Sequence, residues 1–281
     1  MIIWITSYPK SGNTWIRSLL SSYLFSKDGI FNFEHLKNIK QFSSKNFDDL
    51  NESRANYQDL ISMNWIPSQK IINEDNKLHY LKTHNAMCAI NGNNFTNKSN
   101  TLAAIYIVRD PRNIITSLSN HYGMSLDESY KFITNKKKII YPIAKNKKSI
   151  NDFNFLGDWS FHYNSWKNIK FCPVKIIKYE DILSNTYKVF ISILNFLSEF
   201  QKIIYNEPRI NNSIKTTSFK NLSEMENNYG FEESNLSAKT NKKVKFFHLG
   251  KKNDWKKILD DKNIKKIETT FNREMHELNY L

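Results

Sequence analysis

A short apolar run, Ile2–Thr6 (IIWIT), ends in a polar turn and is followed at once by apolar residues at helical spacing. Its length and β-branched content fit a strand buried on both faces, as in a parallel sheet. After the turn Ser7–Asn13, the residues Trp15, Ile16, Leu19, Leu20, Tyr23 and Leu24 mark one face of a helix. The pattern returns at Leu102–Val108 (LAAIYIV), where Asp110 is a good N-cap and Pro111 suits the first helical position. Ile114, Ile115, Leu118 and Tyr122 then form an apolar helix face. A third strand is expected at Val174–Lys178, followed by Tyr179-Glu180-Asp181 and a helix through Tyr187, Phe190, Ile191, Leu194 and Leu197. A fourth, short strand is expected at His79–Leu81. Strands alternating with helices predict an α/β fold: a single domain, residues 1–281, with a central parallel β-sheet flanked by helices.

Composition bounds the partners. The chain has 281 residues, 40% hydrophobic and 14% aromatic, enough to bury a core without disulfide staples. Its two cysteines, Cys88 and Cys172, lie far apart and outside any CxxC pattern. That points to a reducing compartment and against a structural zinc site. The N-terminus lacks the basic start and long apolar stretch of a secretory leader, and no apolar run reaches bilayer-spanning length. The expectation is a cytoplasmic chain, not an integral membrane protein. The net charge of +14 fits either a solvated lysine surface or a polyanionic partner such as nucleic acid, acidic lipid or a phosphate-rich small molecule. Much of the excess is dispersed, as at Lys136–Lys138, Lys147–Lys148 and Lys242–Lys243, so no nucleic-acid partner is expected.

Ligands of parallel sheets bind at the carboxyl ends of the strands. Ser7–Thr14, Lys82–His84 and Arg109 all sit at such ends. The polar stretches Asn32–Asp59 and Lys136–Asn154 read as excursions, and Lys202–Gly250 as a loop-rich lid. In the first turn, Gly12 lets the backbone approach a ligand, and the helix N-terminus favours an anion. Lys10 adds a point charge; Ser11 and Thr14 add hydroxyls. A Walker loop needs GxxxxGK[ST], whereas here the lysine precedes a single glycine. From spacing alone the turn is either a phosphate cradle or an ordinary capped helix start.

Tyr8-Pro9-Lys10-Ser11-Gly12-Asn13-Thr14-Trp15 resembles the loop of PAPS-dependent sulfotransferases that grips the donor's 5′-phosphosulfate end. The resemblance continues in order along nearly the whole chain, and it implies a P-loop-containing nucleoside-triphosphate-hydrolase-like fold. Tyr106-Ile107-Val108-Arg109-Asp110-Pro111-Arg112-Asn113, running on to Ser117, is similar to the family's 3′-phosphate site, with Arg109 and Ser117 as its contacts. Tyr80-Leu81-Lys82-Thr83-His84 matches the segment whose histidine is the general base. Alone among seven histidines, nothing local singles out His84. Its role, like that of Lys82, rests on the resemblance. Gly157-Asp158-Trp159 through His162 to Trp166 looks like a structural helix of the family, and Met275 through Tyr280 like its final helix, so a complete chain is expected. Tyr179 and the segment Thr217-Ser218-Phe219 match adenosine contacts, and Trp15 is placed to stack on the base. Trp15 and Phe219 also read as plain core aromatics.

The pattern breaks late in the chain. The family closes its donor site with Arg-Lys-Gly, two residues, then Gly-Asp-Trp. Here the stretch is His248-Leu249-Gly250-Lys251-Lys252-Asn253-Asp254-Trp255. Each charge-assisted hydrogen bond so lost costs about 1.5–3 kcal/mol, about one to two decades in affinity. Lys251 and Lys252 are candidates to compensate, and a weakened 3′-phosphate site at His248, Leu249 and Gly250 is expected. The lysine–threonine–valine dimer pattern of animal members is not evident after Trp255, so no oligomeric state is assigned.

The resemblance implies a sulfotransferase that moves a sulfuryl group from PAPS to a hydroxyl or amine of a small-molecule, carbohydrate or lipid acceptor and releases PAP. His84 would take the acceptor proton, Lys10 and the loop amides would stabilise the leaving phosphate, and Lys82 would assist at the sulfuryl oxygens. No metal is expected, because no ligand cluster appears in the sequence. Two competing readings stay open: a P-loop small-molecule kinase, and a non-catalytic relative that binds PAP or nucleic acid. The acceptor pocket is expected from Phe31–Phe42, Met87–Ile90 and Phe231–Phe247, whose residues do not dictate its chemistry.

Overall fold

The computed structural model describes residues 1–44, 54–141, 152–236 and 243–281. By their internal contacts the residues form two compact units, each drawn from three stretches of chain. One holds Met1–Tyr8, Ile39–Ile107 and Asn135–Ile176; the other holds Pro9–Asn38, Val108–Thr134 and Ile177–Leu281.

The first unit is built on a four-stranded sheet in the order His79–Thr83, Ile2–Ser7, Thr101–Val108, Val174–Lys178. The opening strand pairs in parallel with both neighbours, Ile5 lying opposite Lys82 on one side and Ile105 on the other. Every residue of Ile2–Ser7 is buried, which is why the segment reads as a continuous apolar run rather than an alternating one. Trp4 anchors this unit. Its indole N–H donates to Thr101 Oγ1 at 2.9 Å, and its ring meets Phe42 and Phe95. Phe95 in turn meets Trp65 and Trp166. Each such ring removes about 150–250 Å² from water, roughly 4–6 kcal/mol before ordering entropy is subtracted.

The four expected strands are present, and the one at His79 runs on to Thr83. Its extension has a backbone cause: Lys82 N–H donates to the Lys40 carbonyl at 2.9 Å, and Phe42 N–H donates to the Lys82 carbonyl at 2.7 Å. Lys82 is thus buried despite its charge. Helices Arg54–Met63, Trp65–Asn73 and Leu126–Thr134 add to those read from the sequence. The loop-rich reading of Lys202–Gly250 is corrected: Glu207–Thr216 and Phe219–Tyr229 are helices. Each is started by a side-chain cap, Asn206 accepting from Arg209 N and Ser218 from Asn221 N. Their apolar faces are narrow, with Ile210 and Leu222 as the buried apolar residues, so periodicity is weak there. Parts of the expected excursions and lid, and Lys147, Lys148 and Lys242, lie outside the described residues.

In the second unit the helix Pro111–Tyr122 is fixed by a buried ion pair at its start. Asp110 caps the helix by accepting from Arg112 N at 2.9 Å and also takes a two-pronged contact from the Arg112 guanidinium, at 3.0 and 2.7 Å. The same guanidinium bonds Glu268 and the Tyr280 carbonyl and lies 3.9 Å from the Trp255 ring centroid. One side chain therefore joins this helix to the C-terminal residues. Removing one partner of a buried pair leaves the other charge uncompensated. Arg112→Ala is expected to lower stability by about 3–5 kcal/mol, read as a urea-unfolding midpoint. A shift below about 1 kcal/mol would show the pair to be incidental.

Candidate functional site

The loop after the opening strand is shaped by two left-handed residues. Lys10 has φ +67° and Gly12, the residue before the helix Asn13–Phe25, has φ +97°. A side chain at Gly12 would place its Cβ 2.4 Å from the Tyr179 ring, so glycine is required by backbone and by space. Lys10 holds a conformation that costs a non-glycine residue about 1–2 kcal/mol. Its carbonyl accepts a hydrogen bond from Arg109 Nη1 at 2.8 Å. Arg109 follows the strand Thr101–Val108, is buried, and sets its guanidinium 4.2 Å from the Tyr179 ring centroid. Trp15 meets the same tyrosine edge-on at 5.9 Å.

Lys10, Gly12, Trp15, Arg109 and Tyr179 are thereby brought together in the second unit. The helix start has neither a side-chain cap nor an acidic residue in its first turn, and Trp15 N donates to the Gly12 carbonyl at 3.1 Å. The Arg109 Nε, the Ser11 hydroxyl and the Trp15 indole nitrogen are buried and have no hydrogen-bond partner among the described residues. Buried donors of this kind call for an acceptor, which water or an acceptor-rich ligand supplies. Asn13 is buried beside them.

Glu233 is an anion that sequence reading did not place here. It accepts from the Thr14 hydroxyl at 3.0 Å and pairs with Arg17 at 2.6 Å. A carboxylate at this helix end agrees with the dipole's preference for negative charge. The Lys10 ammonium lies 4.3 Å from the Phe246 ring centroid. His121 packs edge-on against Phe246; burial first, and the Lys10 charge second, pull its pKa down to about 3. It is neutral at physiological pH.

The remaining nucleotide candidates in this unit are dispersed in environment. Gly250 has φ +50°, and a Cβ there would lie 2.7 Å from the Phe219 ring. Thr217 is fully buried, with its hydroxyl donating to the Ser213 carbonyl at 2.7 Å. Ser117 and Leu249 are half-buried, and His248 and Lys252 are exposed. The Lys251 side chain lies outside the described residues. Two of the segments expected to line an acceptor pocket meet here as a packed aromatic cluster: Phe31, Leu36, Phe231 and Phe247, with Leu222 and Phe33.

Lys82 and His84 belong to the first unit. The half-buried His84 ring places Nδ1 2.7 Å from the Ser7 carbonyl oxygen. A carbonyl only accepts, so Nδ1 carries the hydrogen and Nε2 is the basic nitrogen. The His84 main chain is held on both sides. Its N–H donates to Asn154 Oδ1 at 3.1 Å, and its carbonyl accepts from His162 Nε2 at 3.0 Å. Burial lowers the His162 pKa to about 4, so this ring is neutral and its Nδ1 accepts from the Tyr106 hydroxyl at 2.9 Å. Sequence reading took the helix bearing His162 as structural and Tyr106 as part of a strand. No local signal marks either as support for His84, because the link is made by tertiary packing.

Parallel strands each followed by helices, with a glycine-bearing turn after the opening strand, define an α/β protein. The family model for the sulfotransferase domain matches residues 2–279, and the chain belongs to that family. Among solved structures, mouse sulfotransferase SULT7A1 complexed with PAP is similar at 19% identity and TM-score 0.57, covering 98% of this chain and 83% of that one. Retinol dehydratase in complex with androsterone and the inactive cofactor PAP is similar at 13% identity and TM-score 0.58, covering 98% and 80%. At such identities the likeness speaks for the fold, and the P-loop-like architecture expected from the sequence is the one observed. None of the curated proteins compared with the chain matches it.

Gly12→Ala adds a Cβ where the Tyr179 ring already stands and strains a left-handed backbone. The variant is expected to lose about 1–3 kcal/mol of stability by urea unfolding and to bind PAP more weakly by calorimetry. Unchanged values of both would contradict the loop geometry.

Acid should weaken the fold. His121 and His162 have folded pKa values of about 3 and about 4, below the ordinary 6.5, so below pH 6.5 the unfolded chain binds protons that the folded chain refuses. Asp152 and Glu180 oppose them: burial raises the Asp152 pKa from 3.8 to about 6 and pushes the Glu180 pKa above its ordinary 4.5, so the folded chain holds extra protons there. The two histidines are displaced further from their ordinary value than Asp152, so urea midpoints are expected to fall between pH 6.5 and 4. A flat profile over that window would refute the assignment of neutral, buried histidines.

Proposed function

We propose that the chain transfers a sulfuryl group from PAPS to a hydroxyl or amine of a small-molecule, carbohydrate or lipid acceptor, releasing PAP. The observation that carries the reading is the meeting of Lys10, Gly12, Arg109 and Tyr179 at a helix start whose buried donors lack partners. Such donors fit the phosphates of a nucleotide, and family membership fits the reaction class. The reading takes residues 1–281 as one sulfotransferase domain, supported by the match over 2–279. It places the chain in the cytoplasm, supported by two free cysteines. Among the described residues, no helix is long and apolar enough to cross a membrane.

When bound, PAPS supplies an activated sulfuryl group. The chain's own residues then have distinct tasks. Arg109, with Ser117 on the helix that follows it, holds the 3′-phosphate. Ser11, Thr14 and the first-turn amides, with Lys10, hold the 5′-end and offset the charge that grows on the leaving oxygen. Trp15, Tyr179, Thr217 and Phe219 face the adenosine, and His248, Leu249 and Gly250 complete the donor residues. His84 Nε2 takes the acceptor's proton, its tautomer fixed by the Ser7 carbonyl. Lys82 supplies a cation for the sulfuryl oxygens.

The test is turnover of PAPS, followed as PAP released, over phenol, alcohol, sugar and amine acceptors. A positioned base contributes about 10²–10⁴-fold. His84→Ala is expected to slow transfer by that factor while its Kd for PAP stays within about threefold of the parent. Full turnover in the variant removes His84 as base. No transfer to any acceptor class by the parent overturns the function.

A further inference from the structure

Glu180 directly follows Tyr179, whose ring lies against the Arg109 guanidinium. It is half-buried, and both of its carboxylate oxygens are engaged. Oε1 accepts from Asp110 N at 3.1 Å, so the carboxylate lies against the peptide that joins Arg109 to Asp110. Oε2 accepts from the Tyr280 hydroxyl at 2.8 Å. The carboxylate is close enough to feel the Arg109 charge. Among the described residues, however, the guanidinium donates to the Lys10 carbonyl and to no carboxylate, and its Nε has no hydrogen-bond partner.

Tyr280 is anchored independently of its hydroxyl. Its carbonyl accepts from Arg112 Nη2 at 2.7 Å, and its N–H donates to the Met275 carbonyl at 2.8 Å. The Lys178 ammonium lies 4.5 Å from its ring centroid and bonds the Leu278 carbonyl. Burial first, and the Glu180 charge second, raise the pKa of the phenol, so the hydroxyl keeps its hydrogen and donates it.

A carboxylate beside a guanidinium ordinarily pairs with it, because the planar fork takes two oxygens at once. In the same unit Arg112 and Arg17 bond carboxylates in this way. Glu180 is turned instead to a main-chain N–H and a phenol. Release of Oε2 would let the carboxylate swing onto Arg109 and occupy nitrogens that a phosphate needs.

We propose that Tyr280 is a positioning residue for donor binding, whose hydroxyl holds Glu180 off Arg109. The carboxylate then offsets the buried charge from a distance and leaves the guanidinium donors open to a phosphate of the nucleotide. The inference rests on the donor reading above, and it adds a residue that lies 100 positions beyond Glu180 in the chain.

Calorimetric Kd values for PAP test it on four full-length proteins: the parent, Tyr280→Phe, Glu180→Gln and the double variant. Tyr280→Phe removes one oxygen and keeps the ring and the main-chain bonds. It is expected to weaken PAP by about tenfold, because a charge-assisted bond between Glu180 and Arg109 must then break before the phosphate enters. Glu180→Gln cannot form that ion pair and is expected to bind PAP at least as tightly as the parent. In the double variant the loss is expected to vanish, with Kd within about twofold of Glu180→Gln alone. A merely structural tyrosine gives the same loss in both backgrounds, and that result overturns the assignment, as does parental affinity in Tyr280→Phe. Where Tyr280→Phe does not fold, Glu180→Gln decides alone: affinity at or above the parent's supports the proposal, and a loss of about tenfold overturns it. A parent that binds no PAP overturns the donor reading on which the inference stands.

Discussion

The hydrogen bond from Arg109 to the Lys10 carbonyl is the contact on which the candidate donor residues depend. It joins the loops that leave two strands of the sheet, and it exists because Lys10 adopts a left-handed backbone. That conformation is costly for lysine, and folded proteins retain such costs where the surroundings demand the geometry. Here the surroundings are specific. Gly12 must lack a side chain for Tyr179 to approach, and Tyr179 must approach to lie against the arginine.

Among the described residues, three buried arginines in the same unit differ in partner chemistry. Arg112 is matched by Asp110 and Glu268, and Arg17 by Glu233. Both fasten elements of the fold through carboxylates. Arg109 has instead a carbonyl and an aromatic face, with one nitrogen unpartnered. The nearby Glu180 carboxylate feels the Arg109 charge but bonds Asp110 N and the Tyr280 hydroxyl. The Glu233 carboxylate, beside the hydroxyl of Thr14, shows that this end of the helix accepts negative charge.

The first unit solves another problem with neutral groups. The His84 ring carries its hydrogen on Nδ1. The Ser7 carbonyl enforces that, while Asn154 and His162 fix the backbone on either side. Burial keeps His162 uncharged, and the Tyr106 hydroxyl fixes which of its nitrogens donates. The arrangement keeps the histidine beside the His84 main chain uncharged.

The sequence alone determined the alternation of buried strands with helices, because continuous apolar runs and capped helix starts are local in the chain. It also determined the loop Tyr8–Trp15, since a glycine among hydroxyls and a lysine is written in consecutive residues. Helices with narrow apolar faces, such as Glu207–Thr216, escaped it because periodicity needs several apolar residues to register. Partners distant in sequence escaped it entirely. Nothing near Thr14 announces Glu233, and nothing near Asn113 announces Asn253. Which arginine bonds a carbonyl rather than a carboxylate, which nitrogen of His84 carries the hydrogen and what Asn253 bonds are decided by packing. Each depends on a donor and an acceptor that only the folded chain brings within about 3 Å.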